Sequence, residues 1–212
     1  MHVGVIELLR CPTEHSESAL VASATRQVER RIIEGSLGCP VCGAEFRIHN
    51  AVADFRRDTG AQDLEAVTRE PPNEEDAIRL AAQLDLTEPG RLLLIFGEYT
   101  RFAPALNVMF DALCVAINAP RREEDHIADH SSVLRIATTI PIAPSAAHGA
   151  AISGNQLRQL QLDQVRERLR VNGRLVIPAT AALPEGMTLV AHDERELVGV
   201  RASEMISLRR AR

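Results

Sequence analysis

Two short segments of the sequence carry thiol and imidazole groups at the spacing of metal ligands. Residues 39–43 read CPVCG, a knuckle whose tight turn lets two thiolates converge on one ion while the glycine relieves the backbone. Residues 11–15 read CPTEH and add a third thiol and an imidazole. The sequence therefore predicts a structural zinc site formed by Cys11, His15, Cys39 and Cys42.

Two points about this site stay open in the sequence. Glu14 stands where the second cysteine of a paired knuckle would be, so Glu14 or His15 could complete the ligand set, and His15 is favoured because imidazole suits zinc among thiolates. The alternatives to zinc are a site that has lost its metal, a redox-active pair formed by Cys39 and Cys42, and another metal ion. The remaining cysteine, Cys114, lies in an apolar run and is expected to be a small buried side chain.

A second candidate for metal binding is an Asp-His pair that repeats after four residues. The pairs are Asp125-His126 and Asp129-His130. On a helix this spacing would place both histidines on one face, where they could bind an ion. A solvated charged loop is the simpler interpretation.

Composition and charge limit the class of protein. The 212 residues are 45% hydrophobic, which suffices for a globular domain with a small additional unit. The net charge is −5, which disfavours a broad nucleic-acid-binding face, and the basic tail with Arg209, Arg210 and Arg212 is expected to be a solvated terminus.

No run approaches the ~18 apolar residues of a membrane span, and no signal-peptide pattern opens the chain. We expect a cytoplasmic protein whose cysteines are ligands or core residues.

The pattern of elements divides the chain into three parts. Residues 1–55 alternate short β-prone pieces with turn residues and hold too little apolar surface to fold alone, so a metal ion or a neighbouring domain should stabilise them. Residues 56–72 are charged and polar and are interpreted as a linker. From 73 to 212 strands and helices alternate, which indicates a three-layer α/β domain with a mostly parallel sheet, helices on both faces and an antiparallel edge.

Apolar runs and capping residues give the elements of this α/β part. A helix should begin after Asn73, and the continuous apolar run at 91–97 is typical of a parallel strand covered on both faces. An amphipathic helix is predicted over 155–170, ended by Asn172-Gly173. Further strands are predicted at 114–118, 133–137, up to 153, 174–178, 188–192 and 196–201.

Four motifs in the first 55 residues occur in a characteristic order. They read LLRCP at 8–12, IIEGSLGCPVCG at 32–43, FRI at 46–48 and VADF at 52–55. This order resembles the zinc-ribbon family that includes the small activator subunit of tRNA and release-factor methyltransferases. The resemblance covers about a quarter of the chain and departs from the family at Glu14, where the family has cysteine. It implies a structural zinc ion and a role in binding a protein partner.

The rest of the chain is similar to class I S-adenosylmethionine-dependent methyltransferases. The similarity lies in VRERLRVNGRLVI at 165–177, TIPIAPS at 139–145 and the segment 91–106, where the family has its cofactor loop. It implies a Rossmann-like sheet that holds S-adenosylmethionine at the end of the first strand. Of the family's glycines only Gly97 remains, Leu94 replaces an acidic residue, and Glu98 and Tyr99 add bulk. Asn118 stands where the family has its ribose-binding acid.

The resemblance also bears on catalysis. Residues 147–149 stand where the family has a Phe-Asp pair, which makes His148 a candidate base. The sequence suggests no partner carboxylate for His148, so a structural histidine is the simpler interpretation. We therefore assign no catalytic residue.

These departures together favour a degenerate methyltransferase-like protein. The leading expectation is a non-catalytic pseudoenzyme that acts as a protein-binding scaffold or activator, through an edge strand or aromatic residues such as Phe55, Phe102 and Phe110, or through a homodimer. For each of these aromatic residues, core packing is the simpler interpretation. The alternative is an active S-adenosylmethionine-dependent methyltransferase with an atypical cofactor loop, binding the cofactor through Gly97 and Asn118. A redox or nucleic-acid module is a third hypothesis.

Overall fold

The computed structural model describes residues 1–56, 72–121, 123–154, 156–157 and 162–203. The strands of these residues, β1 to β11, are Val21–Val28, Arg31–Gly38, Glu45–His49, Val52–Asp54, Leu92–Phe96, Leu113–Ile117, Ser132–Arg135, Ala147–Ile152, Leu169–Pro178, Met187–His192 and Glu196–Arg201. The helices α1 to α5 are Val3–Ile6, Glu74–Gln83, Ala103–Phe110, Glu124–His130 and Leu162–Arg168, and a 3₁₀ helix spans Gly97–Phe102.

The strands in the described part of the chain form one mixed sheet. Their order is β1-β2-β3-β4-β7-β6-β5-β8-β9-β11-β10. The six central strands, from β4 to β9 in this order, are parallel, while β1 to β3 extend one side and β11 and β10 the other in antiparallel fashion. The predicted α/β class with a mostly parallel central sheet is confirmed. The sheet is larger than expected because the N-terminal strands join it.

Strand β5 lies in the middle of the sheet and is covered on both faces. All five of its residues are buried between β6 and β8, which explains its continuous apolar sequence. Leu92, Leu94 and Phe96 enter one apolar core, whereas Leu93 and Ile95 enter the other. The sheet therefore separates two cores.

Helices cover both faces, as predicted. On the face of Leu93, helices α2, α3 and α4 contribute Leu80, Leu106 and Ile127 to the core. On the opposite face, Val165 of α5 packs with the N-terminal segment. The N-terminal residues thus complete a layer that a single helix would leave partly open.

The N-terminal residues are bonded directly to the α/β part. Strand β4 runs parallel to β7, with Val52 opposite Val133. Leu9 bridges to Ile142, and the Ala143 amide donates to the Leu8 carbonyl at 2.8 Å. The division into residues 1–55, 56–72 and 73–212 stays a prediction, but the first and last of these segments share one sheet and one core.

Several predicted elements are present at their expected places. Asn73 caps α2, since its side-chain oxygen accepts a hydrogen bond from the Asp76 amide at 2.7 Å. The hairpin predicted for 188–192 and 196–201 is formed by β10 and β11. Among the described residues, no helix is both long and apolar enough to cross a bilayer.

The helix predicted over 155–170 is shorter in the structure, since residues 156–157 form a turn and α5 spans Leu162–Arg168. Helix α5 ends at Arg168, and Asn172-Gly173 lies inside β9 instead of ending the helix. The pairing of β8 with β9 jumps between Ala147 and Gly149, so the extra residues of β9 form a bulge in which Asn172 has φ +64°. A Cβ on Gly173 would lie 2.8 Å from the Arg170 carbonyl oxygen, so the bulge requires a glycine there.

One further expectation is corrected: the Asp-His repeat belongs to helix α4 and not to a loop. The simpler interpretation of the three aromatic residues, core packing, is confirmed for Phe55 and Phe102, which are each 5% exposed and pack in the cores. Phe110 is partly buried against one of these cores. Most of the predicted linker, several residues of the helix predicted over 155–170 and the arginines of the tail lie outside the described residues.

Candidate functional site

The four predicted metal ligands converge in the structure. One ligand atom from each of Cys11, His15, Cys39 and Cys42 lies within 4.8 Å of the others. The Sγ atoms of Cys11 and Cys42 are 3.8 Å apart, and Cys39 Sγ is 3.4 Å from His15 Nε2. Glu14 is exposed and is not a member of this group. The structure therefore brings together the set with His15.

These distances fit a tetrahedral zinc ion. Zinc–sulfur bonds of about 2.3 Å and zinc–nitrogen bonds of about 2.0–2.1 Å at tetrahedral angles would place two sulfurs about 3.8 Å apart and a sulfur about 3.6 Å from a nitrogen. Both measured separations agree with these values to about 0.2 Å. A set of three thiols and one imidazole is a common structural zinc site, and it leaves no position for a reacting molecule.

Short backbone hydrogen bonds build the knuckle that holds Cys39 and Cys42. The knuckle follows β2 directly and is closed by hydrogen bonds from the Cys39 amide to the Ala44 carbonyl at 2.8 Å and from the Gly43 amide to the Cys39 carbonyl at 2.9 Å. Gly43 has φ +69°, which a side chain would disfavour. The chain then enters β3 at Glu45.

Backbone hydrogen bonds also fix the segment that carries Cys11. The Arg10 amide donates to the Pro141 carbonyl at 3.0 Å, and the Cys11 amide donates to the Ser18 carbonyl at 2.9 Å. Cys11 is thus one residue away from a backbone contact with the α/β part. The metal-ligand cluster sits at the junction of the two parts of the fold.

Hydrogen bonds favour the thiolate form of the knuckle cysteines. The Thr13 hydroxyl and then the Ala44 amide lower the pKa of Cys42 to about 6. Burial alone would raise the pKa of Cys39, but the amides of Cys42 and Val41 outweigh it and the pKa is lowered. Burial raises the pKa of Cys11, and the Ser16 carbonyl raises the pKa of His15. Thiolates are the form that binds a metal ion.

Sequence reasoning missed Thr13. Its Oγ1 lies 2.8 Å from Cys11 Sγ and 3.5 Å from Cys42 Sγ. An oxygen and a sulfur bound to one zinc ion at about 2.0 Å and 2.3 Å would be about 3.5 Å apart, so the shorter distance is too short for two ligands of one ion. The hydroxyl therefore contacts the thiols from outside the ligand set. The only signal in the sequence was the position of Thr13 inside the segment 11–15.

The two residues expected to hold S-adenosylmethionine lie side by side at the carboxyl edge of the sheet. Gly97 follows β5 and Asn118 follows β6, and these strands are paired so that Phe96 faces Ile117. In open α/β sheets this edge is where ligands bind. The chain order also reverses here, because β6 lies on one side of β5 and β8 on the other.

Several of the polar groups described at this edge already have protein partners. The Glu98 amide donates to Ser153 Oγ at 3.3 Å, and the buried Thr100 hydroxyl donates to the Gly97 carbonyl at 2.5 Å. Asn118 Oδ1 accepts from the Ile136 amide at 2.8 Å. Its Nδ2 donates to Gln156 Oε1 at 3.5 Å. As arranged, these residues do not fit the S-adenosylmethionine that the resemblance implies.

A polar cleft of about 410 Å³ opens at the same edge, next to the 3₁₀ helix. Its walls include the buried Glu196, which accepts hydrogen bonds from the Tyr99 hydroxyl and from Gln83 Nε2 at 2.7 Å. Arg79 also pairs with Glu196 at 3.0 Å. Burial, and then Glu196, raise the pKa of Tyr99, so Tyr99 stays protonated and donates. This network ties α2, the 3₁₀ helix and β11 together.

Two other polar side chains prove to be structural. His148 lies at the amino end of β8, away from the cleft, and its Nδ1 accepts from the Leu92 amide at 3.2 Å. Burial lowers the pKa of His148. Cys114 is buried in β6, and burial raises its pKa to about 12, so it is a poor nucleophile.

Comparison with known proteins gives structural neighbours only. No protein-family model matches the chain, and no curated protein matches it. A putative sarcosine dimethylglycine methyltransferase from Galdieria sulphuraria is 18% identical with a TM-score of 0.41, over 49% of this chain and 45% of that chain. A SAM-dependent methyltransferase from Geobacter sulfurreducens, solved in complex with S-adenosyl-L-homocysteine, is 17% identical with a TM-score of 0.41, over 57% and 55%.

TrmN from Thermus thermophilus is 18% identical with a TM-score of 0.47, over 63% of this chain and 50% of that chain. The chain thus spans about half the length of these neighbours. At these identities and scores the comparison describes a similarity of fold and carries no conclusion about activity.

Proposed function

We propose that this protein is a zinc-stabilised pseudoenzyme with a methyltransferase-like fold, which acts as a protein-binding scaffold or activator. The main observation in support of a non-catalytic role concerns the hydrogen bonds at the expected cofactor site. The Glu98 amide, next to Gly97, and both polar atoms of the Asn118 side chain are bonded to the protein itself. A cofactor at this edge would have to compete with these hydrogen bonds.

The zinc part of the proposal is supported by the convergence of one ligand atom from each of Cys11, His15, Cys39 and Cys42, since two of the separations match those of a tetrahedral site. The site has four protein ligands, so it stabilises the fold and does no chemistry. Four free thiols are also compatible with a reducing, cytoplasmic compartment.

The partner part of the proposal is supported by the outer edge of the sheet. Strand β1 is an edge strand, and its Val21 and Val28 are 64% and 55% exposed. Such an edge can pair with a strand of another protein or of a second copy of this chain. The expected partner is therefore a protein; the net charge of −5 disfavours nucleic acid.

Calorimetric titration with S-adenosylmethionine and S-adenosylhomocysteine tests the proposal. Before the titration, elemental analysis must show one zinc ion per chain. This check excludes misfolding as the reason for a negative result. We expect no binding at micromolar concentrations. Micromolar binding of either compound by the zinc-loaded protein would overturn the non-catalytic proposal.

The second candidate function is an active S-adenosylmethionine-dependent methyltransferase. One observation favours it: Gln156 is fully buried beside Asn118, and its Nε2 has no hydrogen-bond partner among the described residues. A buried donor without a partner is costly and would be satisfied by a ligand or a water molecule. If the titration shows binding, Gln156→Leu should weaken it.

A further inference from the structure

Helix α4 presents two histidines on an anchored surface. His126 and His130 are exposed, whereas Ile127 between them is 1% exposed and packs in the core. The first residue of the helix, Glu124, is also buried, and its carboxylate accepts a hydrogen bond from Arg135 Nε at 2.8 Å. The backbone that carries the two imidazoles is therefore held by packing on one side and by an ion pair at its start.

The two imidazole rings are close to a chelating arrangement. Their centroids are 5.9 Å apart and the rings are inclined by 73°. Two imidazoles that bind one ion at about 2.0–2.1 Å, with nitrogen–metal–nitrogen angles of about 90–109°, would have centroids about 4.5–5.2 Å apart. The remaining difference of about 1 Å is within reach of small side-chain rotations, because both rings are exposed.

The surroundings of the rings favour a cation. Asp125 and Asp129 are exposed on the same helix and add negative charge. Within the described part of the chain, neither His126 nor His130 makes a hydrogen bond or an ion pair, so metal binding would break no such contact. The positive charge of Arg31, which donates to the backbone carbonyls of Asp129 and Ser131, offsets part of this negative charge.

We propose that His126 and His130 form a surface site for a divalent late transition-metal ion, with water in the remaining positions. Imidazole ligands suit zinc, copper and nickel, and affinity for such a site rises from nickel to copper. The site differs from the Cys/His cluster in chemistry and position. Helix α4 packs on the core that contains Ile95, whereas Cys39 belongs to the core on the other face of the sheet.

Titration of untagged protein with Ni²⁺ tests this site, with the zinc content measured before and after. We expect one Ni²⁺ per chain beyond the zinc, without loss of zinc. Paramagnetic broadening in the proton spectrum should affect two of the seven histidines most strongly. His126→Ala and His130→Ala should each weaken Ni²⁺ binding by at least about tenfold.

His192→Ala is the matched control, because His192 is an exposed histidine at the end of β10. This variant should bind Ni²⁺ like the unmodified protein. The proposal is wrong if the unmodified protein binds no Ni²⁺ at millimolar concentration, or if both α4 variants bind it unchanged. Because the zinc content is measured separately, a negative Ni²⁺ titration would not count against the Cys/His zinc site, and absence of zinc from the Cys/His site would not count against the site on α4.

Discussion

At the scale of single residues, the Thr13 hydroxyl is the contact that spacing did not predict. It lies 2.8 Å from Cys11 Sγ and 3.5 Å from Cys42 Sγ. A hydrogen bond to a coordinated thiolate orients the ligand and reduces the charge that it must carry. Thr13 therefore acts on the proposed zinc ion through the two cysteines, as a positioning residue.

Thr13→Val should weaken zinc binding by about 10–100-fold, because it keeps the shape of the side chain and removes the hydroxyl. Thr13→Ser keeps the hydroxyl and should bind zinc close to the unmodified protein. Competition with a chelating dye measures the affinity, and the absorption spectrum of the cobalt-substituted protein shows whether the tetrahedral ligand set is intact. Equal affinities of the valine and serine variants would contradict a role for the hydroxyl.

The ligands themselves could be predicted from the sequence, and their surroundings could not. Cys39 and Cys42 are three positions apart, so local turn geometry alone brings them together. The pairing of Glu196 with Tyr99 joins residues that are 97 positions apart and depends on how β11 is inserted beside β9. Nothing in the local sequence around either residue encodes that contact.

At the scale of elements, the N-terminus of α2 depends on its cap. Asn73 Oδ1 accepts from the Asp76 amide at 2.7 Å and satisfies one of the free amides of the first turn. Asn73→Ala should lower the free energy of unfolding by about 1 kcal/mol, whereas Asn73→Asp, which keeps an acceptor, should lower it less. Urea denaturation of the three proteins measures this. An alanine variant as stable as the unmodified protein would show that the cap is not needed.

The seam between β4 and β7 should depend on pH through Asp54. Burial alone would raise the pKa of Asp54, but hydrogen bonds from Arg56 and the charge of Arg135 outweigh it and lower the pKa. A lowered pKa in the folded state adds stability above the ordinary value near 3.8, and this stability is lost as the pH falls through the lowered value.

Asp54→Asn should therefore reduce the free energy of unfolding at pH 7, by up to about 1 kcal/mol for a partly exposed pair. The difference from the unmodified protein should shrink as the pH falls below about 4, because the carboxyl of the unfolded chain is protonated there first and that of the folded protein only at its lowered pKa. Denaturation midpoints at several pH values test this. A difference that stays constant down to pH 2 would exclude the charge of Asp54 as the cause.

The elements that sequence reasoning predicted well are those with one dominant local signal. The apolar run of β5 and the acidic first turn after Asn73 are of this kind. The end of α5 was predicted wrongly because Asn172-Gly173 has the composition of a helix stop, whereas pairing with β8 uses the same residues for a bulge. Tertiary pairing overrides local preference there.

At the scale of the whole molecule, the proposed zinc site and the α/β part should unfold together. The segment with Cys11 bonds to Pro141, Leu9 bridges to Ile142, and the N-terminal strands continue the central sheet through β4. The cores also mix, since Leu37 and Phe46 lie in one cluster with Leu94. Loss of the metal would therefore weaken the packing of both parts and not of residues 1–55 alone.

Removing zinc with a chelator should lower the melting temperature of the entire protein in one transition. Binding at about 1,000 times the dissociation constant contributes about 4 kcal/mol, which corresponds to roughly 8–16 °C for a chain of this size. Cys39→Ser should melt at the lowered temperature and should not respond to the chelator, which separates zinc loss from other effects of chelation. Calorimetry distinguishes one transition from two. Two separate transitions, with the main one unchanged by the chelator, would mean that the N-terminal part unfolds independently. The shared sheet would then not couple the metal to the rest of the fold.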